Sequence, residues 1–197
     1  MLSNEWKTVE QVLKKDGIAV IPTDTLYGIV GSAFSKKAVE RIYKLKGRDE
    51  KKPCIVLITS FADLKKFGIS LSKEHKEFLN TIWPGKVSVI LPVTNAKFSY
   101  LHRGTKTIAF RMISPRQGHL YNLIKRVGPI VAPSANPQGA KPARNRKEAR
   151  AYFEENVDAY ICYGTREGKP STLVSIDTKG MIQVLREGVV KIKAQKK

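Results

Sequence analysis

Cysteine and histidine are scarce in this sequence, which has only two cysteines and three histidines in 197 residues. Cys54 and Cys162 lie far apart, each within a short apolar segment, and their spacing is not that of a metal site. We expect both to be buried free thiols, which favours a reducing compartment. Because the histidines are scattered, the sequence indicates neither a metal cluster nor a histidine base beside a nucleophile.

Long apolar runs and leader-like segments are also absent. No run approaches membrane-spanning length, and residues 1–15, MLSNEWKTVEQVLKK, lack the apolar core of a signal peptide. We therefore expect a cytoplasmic protein. There is no internal repeat, and neither of the glycine-rich fingerprints GxxxxGK[ST] and GxGxxG occurs. We expect a single domain over residues 1–190, followed by a basic tail over residues 191–197.

Acidic residues are few, since 17 Asp and Glu stand against 36 Lys and Arg, for a formal net charge of +19. An imbalance of this size predicts an anionic partner, such as a nucleotide, a nucleic acid or an anionic surface. Five basic residues fall within KLKGRDEKK, residues 44–52, directly before the apolar segment CIVLI. Such a run is either a solvated helix end that complements the helix dipole or a site for an anion.

Hydrophobic periodicity predicts helices interleaved with strands. Val9, Val12 and Leu13 mark a first helix, which we expect Gly17 to end before the strand IAVIP. A helix from a capping Ser35 to Gly47 is followed by the strand CIVLI. Further helices are predicted in SFADLKKFG, in SKEHKEFLNTIW and near residues 116–126 and 146–153, and strands in VSVIL, TIAFRM, PIVAP, AYICY, TLVSI and IQVLR. This pattern is typical of an α/β fold around a sizeable sheet, with the last nine residues, VVKIKAQKK, frayed.

Four segments carry polar residues, glycine or proline where a plain core strand needs none. They are IPTDTLYG, the basic run, TIAFRM with PIVAPSANPQGAKPARNR, and GKPSTLVSI with VLREG. Small hydroxyl and amide side chains beside exposed backbone amides are the components of phosphate sites. Each segment taken alone is also explained as a strand end followed by a turn.

Together, the ordered motifs PTDTLYG, KLKGRDEKKP, WPGKVSVIL, TIAFR, APSAN, STLVSI and LREG resemble the YrdC/Sua5 family of L-threonylcarbamoyladenylate synthases, over about residues 8–190. The resemblance implies an open, twisted, mixed α/β sheet flanked by helices around a large basic cavity. It also implies a nucleotidyltransferase that converts L-threonine, bicarbonate and ATP to threonylcarbamoyl-AMP and pyrophosphate for tRNA modification. A downstream threonylcarbamoyl transferase would use the product. Longer members have an additional carboxyl-terminal domain, so this sequence resembles the short form.

The resemblance also implies roles for individual residues. The family's catalytic constellation falls on Lys46, Arg48, Ser134 and Asn136. The implied ATP contacts are Arg48, Thr107, Ser134 and Arg186, and the implied threonine contacts are Thr25, Arg111 and Ser171. Arginine can hold a carboxylate by a two-pronged hydrogen bond. Mg²⁺ would be held mainly by phosphates and water, because the motifs offer almost no carboxylates.

The sequence departs from the family pattern at three positions. Lys52 replaces an asparagine, and we expect its ammonium to contact the ATP phosphates, with a solvated side chain as the alternative. Leu57 replaces a histidine that helps to bind threonine, and Ser175 replaces an aspartate. Since an apolar side chain cannot replace an imidazole hydrogen bond, we expect weaker threonine binding.

A second class of function is a nonenzymatic binding protein for double-stranded RNA with the YrdC/YciO fold. The net charge and the segment KPARNRKEAR favour it, through Arg144, Arg146, Lys147 and Arg150. The sequence shows no basic patch interleaved with aromatic residues for stacking bases. Because the constellation of Lys46, Arg48, Ser134 and Asn136 is intact, the enzyme is the preferred interpretation.

Overall fold

Helices and strands alternate along the chain. The computed structural model describes residues 3–49, 52–176 and 182–192. The helices are α1 (Asn4–Lys14), α2 (Lys36–Lys46), α3 (Phe61–Lys65), α4 (Lys73–Ile82), α5 (Ser99–His102), α6 (His119–Val127) and α7 (Arg146–Phe153). The strands are β1 (Ile18–Pro22), β2 (Tyr27–Ser32), β3 (Ile55–Ile58), β4 (Val87–Pro92), β5 (Thr107–Met112), β6 (Ile130–Val131), β7 (Ala159–Tyr160), β8 (Thr172–Ile176) and β9 (Ile182–Arg186).

The strands in the described residues form one mixed sheet, in the order β7-β1-β2-β6-β3-β5-β4-β8-β9. β3 pairs with β5 in parallel, and Leu57 lies beside Arg111 in that register. β6 is antiparallel to both of its neighbours, β2 and β3. The predicted α/β architecture with a mixed sheet is therefore confirmed.

The sheet separates two hydrophobic clusters, as the alternation along β1 shows. Ile18 and Val20 belong to one cluster, whereas Ala19 and Ile21 belong to the other. Because successive side chains of a strand point to opposite faces, each cluster lies on one face. The first cluster includes apolar residues of α2, α3 and α5, and the second includes those of α1 and α6. Helices therefore pack on both faces of the sheet.

The ends of α2 agree with the sequence prediction. Ser35 Oγ accepts a hydrogen bond from the Ala38 N–H at 3.1 Å, and Gly47 has a left-handed φ of 54°. The end of α1 differs, because it stops at Lys14 and the left-handed residue is Asp16, with φ 59°. A Cβ on Gly17 would lie 2.7 Å from Val12 Cγ1. Gly17 is therefore required for close packing rather than for ending the helix.

Three further features correct the sequence predictions. β2 and the short helix α5 are not among the predicted elements, since the former was treated as a turn after a strand. Cys54 is buried as expected, but Cys162 is exposed. The first two residues of the predicted frayed end are fixed, because the N–H groups of Val189 and Val190 donate to Pro170 O and Thr172 Oγ1 at 3.0 and 3.2 Å. The rest of the tail, 193–197, lies outside the described residues.

No helix in the described part of the chain is long and apolar enough to cross a membrane.

Candidate active site

A cavity of about 350 Å³ is bounded by segments that are distant in sequence. Its lining comes from the turn between β1 and β2, the start of β3, the end of β5, the loop after β6, residues 168–171 before β8, and the end of β9. Ile55 and Arg111 project from the same face of neighbouring strands, because Ile55 pairs with Ala109, two residues before Arg111. The cavity therefore lies over this face of the sheet.

Six of the ten predicted site residues line this cavity. They are Thr25, Arg48, Arg111, Ser134, Ser171 and Arg186. Lys46 and Asn136 lie beside the lining, since Lys46 is bonded to the backbone of Ser134 and of Asn136 itself. The structure therefore brings together eight residues from six separate motifs.

Lys52 and Thr107 are the two predicted residues that lie elsewhere. The Lys52 side chain is 64% exposed and its ammonium lies 3.7 Å from Asp49 Oδ2. Thr107 shares a face with Arg111 but lies four residues, roughly 13 Å, nearer the start of the strand. Its hydroxyl donates to Thr105 Oγ1 at 3.2 Å. Among the described residues neither side chain lines the cavity.

Arg48 is held at the cavity by the chain that follows it. The left-handed turn at Gly47 ends α2, and Arg48 then donates from Nε to Lys52 O at 2.9 Å and from a terminal nitrogen to Pro53 O at 3.0 Å. Lys52 therefore contributes its backbone carbonyl rather than its side chain. Because carbonyl partners leave the guanidinium charge uncompensated, Arg48 remains a cation for a ligand.

Arg186 is a second cation of the cavity, and Ser171 is its anchor. A terminal nitrogen of Arg186 donates to Ser171 O at 2.9 Å, and Ser171 Oγ is hydrogen-bonded to Ser88 Oγ at 2.9 Å. Burial lowers the pKa of Arg186, and the charges of Arg111 and Arg48 lower it further. All three arginines line the same cavity, so they are placed to share an anionic ligand.

Lys46 is buried, which corrects the expectation of an exposed cation at the helix end. Its ammonium donates to the carbonyl oxygens of Ser134 and Asn136, and only 3% of the residue is exposed. Burial, together with the charge of Arg48, lowers the pKa of Lys46 to about 8. In this structure Lys46 fixes the loop that carries Ser134, and it does not line the cavity.

The loop after β6 is further fixed by Asn136 and by β2. Asn136 Nδ2 donates to Pro137 O and Ala140 O at 2.8 and 2.9 Å. The Ala135 N–H donates to Tyr27 O at 2.8 Å. Asn136 Oδ1 is buried and has no hydrogen-bond partner among the described residues. Asn136 therefore shapes the loop and retains one acceptor.

Arg111 is buried on β5 and forms an ion pair with Asp24. A terminal nitrogen of Arg111 lies 2.8 Å from Asp24 Oδ1, and both side chains are less than 5% exposed. Burial lowers the pKa of Arg111, and the Asp24 carboxylate opposes that shift. Thr25, next to Asp24, places its hydroxyl 3.3 Å from that of Thr23. An arginine and hydroxyls on one wall suit a ligand with a carboxylate and polar substituents.

Leu57 and Ser175 stand at the positions where the sequence departs from the family pattern. Leu57 is completely buried in the cluster that includes residues of α1 and α6, beside Arg111 in the sheet register. Among the described residues it is not part of the cavity lining. Ser175 is half-buried on β8, opposite Ile90 and Gln183.

Sequence reasoning gave no role to Asp24 or Tyr27, although both lie in the motif PTDTLYG. The buried Tyr27 hydroxyl donates to Gly164 O at 2.9 Å and accepts from the Tyr163 N–H at 3.1 Å. Burial raises the pKa of this phenol, which therefore stays protonated. Tyr27 thus ties the β1–β2 turn to the segment before the cavity residues 168–171. The polar residues of the motif indicated a site, but their partners are far away in sequence.

Clusters of metal-ligating side chains do not occur in the described ranges, where no three His, Cys, Asp or Glu residues are grouped to hold an ion.

Comparison with known proteins places this geometry in a family. The model of the Sua5/YciO/YrdC family, described as "Telomere recombination", matches residues 11–188. The chain belongs to this family. The putative threonylcarbamoyl-AMP synthase of Mycobacterium tuberculosis is 29% identical to it, over 90% of this chain and 81% of the relative. The threonylcarbamoyl-AMP synthase of Bacillus subtilis is 33% identical, over 83% and 48%.

Solved structures of Sua5/YciO/YrdC proteins have the same fold. Sua5 of Pyrococcus abyssi, solved with L-threonine, superposes with a TM-score of 0.84 at 28% identity, over 95% of this chain and 56% of that protein. YciO of Escherichia coli superposes with a TM-score of 0.83 at 23% identity and shows the fold alone. The chain spans about half the length of the Bacillus and Pyrococcus relatives.

Proposed function

We propose that this chain is a threonylcarbamoyl-AMP synthase. The arginines 48, 111 and 186 converge with the Ser134 hydroxyl on one cavity, and this observation carries the proposal. Its family relatives named threonylcarbamoyl-AMP synthase support the same reaction. The substrates would be L-threonine, bicarbonate and ATP. The threonine nitrogen adds to bicarbonate with loss of water, a carbamate oxygen attacks the α-phosphorus, and pyrophosphate leaves.

Two sets of side chains in the cavity lining suit different parts of the reactants. Arg48, Arg186 and Ser134 offer two cations and a hydroxyl for the triphosphate, where charge develops as pyrophosphate leaves. Mg²⁺ would arrive with ATP and be held by phosphates and water. Arg111, Thr25 and Ser171 offer a guanidinium and two hydroxyls for the carboxylate and polar groups of threonine. Lys46 and Asn136 keep the Ser134 loop in place.

The product is a reactive mixed anhydride of a carbamate and AMP, so its use requires an acceptor. We propose a downstream transferase that moves the threonylcarbamoyl group to tRNA. The tRNA itself need not contact this chain for the first step.

The direct test is to incubate the purified protein with ATP, Mg²⁺, labelled bicarbonate and L-threonine, and to measure pyrophosphate and the labelled adduct. Arg48→Ala should lower kcat/KM for ATP by roughly 10- to 100-fold, since a hydrogen bond between charged groups is worth about 1.5–3 kcal/mol. Lys52→Ala is the matched control, because it removes a cation four residues away that does not line the cavity. Its ATP constants should equal those of the wild type. Pyrophosphate release without threonine or bicarbonate, or full activity of Arg48→Ala, would contradict the proposal.

A further inference from the structure

Among the three arginines of the cavity, Arg111 is the one paired with a carboxylate in the described part of the chain. Its ion pair with Asp24 has a length of 2.8 Å, and both residues are at least 95% buried. The contact has the distance of an ion pair but not the alignment of a good hydrogen bond, since Asp24 Oδ1 is without a hydrogen-bond partner. Arg48 and Arg186 bond to backbone carbonyls instead. The cavity therefore has one neutralised arginine and two that keep their full charge.

Asp24 is flanked by two threonines whose hydrogen bonds fix the backbone around it, so its position in the turn is set before any ligand arrives. It occupies the turn between β1 and β2, where Thr23 N–H and Thr23 Oγ1 donate to Leu26 O at 3.0 and 2.7 Å. The Thr25 N–H donates to Thr23 Oγ1 at 3.2 Å. Only 5% of Asp24 is exposed, so water screens its charge weakly.

Arg111 keeps donors for a ligand in spite of this pair. One terminal nitrogen faces Asp24, and the buried Nε–H has no hydrogen-bond partner among the described residues. A guanidinium has five N–H donors in a planar fork. The remaining edge can therefore bind a carboxylate through directed hydrogen bonds.

Charge decides which anion can use that edge. The Asp24–Arg111 pair has no net charge, so it gains little from long-range attraction and must rely on hydrogen bonds. A carboxylate, with one negative charge, meets modest repulsion from Asp24. A di- or triphosphate concentrates several negative charges and is repelled in proportion. The unpaired Arg48 and Arg186 attract the same phosphates strongly.

We propose that Asp24 is a positioning and selectivity residue that orients Arg111 and reserves it for a singly charged carboxylate, directing phosphates to Arg48 and Arg186. With the proposed function, on which this inference rests, the carboxylate is that of threonine. Asp24 acts through Arg111 and does not itself touch the reacting atoms. It would prevent ATP or pyrophosphate from binding to Arg111 in place of the amino acid.

The test uses Asp24→Asn, which keeps the shape and removes the charge. KM for threonine should rise about tenfold or more, because Arg111 loses the carboxylate that orients it, while KM for ATP should change less than about twofold. Excess ATP and added pyrophosphate should become competitive inhibitors against threonine. Asp24→Glu, which restores the charge, should remove that competition. Equal rises in both KM values, or no competition, would overturn the proposal.

Asp158→Asn is the matched control, because Asp158 Oδ2 also pairs with an arginine, Arg41, at 2.6 Å, but Asp158 lies outside the cavity lining. All its constants should equal those of the wild type.

A measurement on the wild type keeps the proposal testable if Asp24→Asn does not fold. In calorimetry, pyrophosphate should leave the affinity for L-threonine nearly unchanged, and competition between them would overturn the proposal. Absence of adenylate synthesis with this binding pattern intact would reject the proposed function alone.

Discussion

Lys46 shows how far the environment of one residue can change its role. Lysine is rarely buried without a partner, and here the ammonium satisfies two carbonyl oxygens of a loop that carries a cavity residue. Lys46 is buried because it lies on the same face of α2 as the buried residues Val39, Ile42 and Tyr43. The residue therefore contributes to the stability of the loop.

Replacement of Lys46 by methionine should lower the free energy of unfolding by about 1–3 kcal/mol, because the Ser134 and Asn136 carbonyls lose their buried donor. Denaturant unfolding measures this change. Lys44→Met is the matched control on the exposed side of α2 and should stay within about 0.5 kcal/mol of the wild type. Equal stabilities for the two variants would show that the buried bonds of Lys46 contribute nothing.

The pKa of Lys46 also predicts a dependence on pH. It is about 8 in the folded protein, below the ordinary 10.5, so between these values the unfolded chain binds more protons and rising pH favours the folded state. Below about pH 8 both states are protonated and the cost of burying the charge is complete. As the pH rises through this range, the free energy of unfolding of the wild type should increase relative to that of Lys46→Met by up to about 1.4 kcal/mol per pH unit. Unfolding curves from about pH 7.5 to 9.5 measure it. A constant difference would contradict the prediction.

At the scale of secondary structure, short segments between elements position the cavity residues. The turn between β1 and β2 carries Asp24, and the turn at the end of α2 directs the chain toward Arg48. The latter needs a left-handed residue, and a Cβ on Gly47 would meet no atom within 4 Å. The requirement for glycine there is therefore a matter of backbone conformation alone.

Gly47→Ala should cost about 1–2 kcal/mol of stability, because a left-handed alanine is strained, whereas Gly47→Asn should cost less. Gly47→Ala should also raise KM for ATP, because Arg48 is the next residue in the chain. Gly68→Ala is the matched control, because Gly68 has a φ of 77° and equally open space at the end of α3. It should cost similar stability and leave KM for ATP unchanged. A raised KM in both variants would attribute the effect to general loosening of the fold.

The sequence predicted those helices and strands whose position is set by capping residues and apolar runs within the element itself. Ser35 caps α2 and Gly47 ends it as expected, and apolar runs marked most strands. β2 was missed because its sequence, YGIVGS, contains two glycines and lacks a clean alternation. The burial of Lys46 could not be predicted, since its partners are 88 and 90 residues away. The Asp24–Arg111 pair could not be predicted for the same reason, because its partners are 87 residues apart and three strands of the sheet lie between β1 and β5.

For the whole molecule, the charge of +19 remains the strongest feature, but the segment predicted to bind RNA is largely neutralised. Arg144 pairs with Glu148 at 2.7 Å and Glu167 at 3.0 Å, and Arg146 lies 3.9 Å from Glu5. Arg150 pairs with Glu155. Acidic partners therefore offset much of the positive charge of this segment.

Binding of double-stranded RNA should be weak and unspecific, and should fall steeply between about 50 and 200 mM salt as counterions are released. Lys147→Glu on α7 should weaken it no more than Lys37→Glu, an exposed lysine of α2. Filter binding or fluorescence anisotropy at several salt concentrations measures both. A much larger loss for Lys147→Glu would place an RNA site on α7.

The dispersed origin of the cavity lining has a consequence for folding. Its walls come from residues between 23 and 186, and the bond from Tyr27 to Gly164 closes a loop of 137 residues. Contacts of such separation are slow to form, because the chain entropy must be lost before they contribute. No early intermediate with only part of the sheet can present this cavity to a substrate. Ligand occupancy therefore selects the fully folded chain, and a substrate at a hundred times its Kd would stabilise that state by about 2.7 kcal/mol.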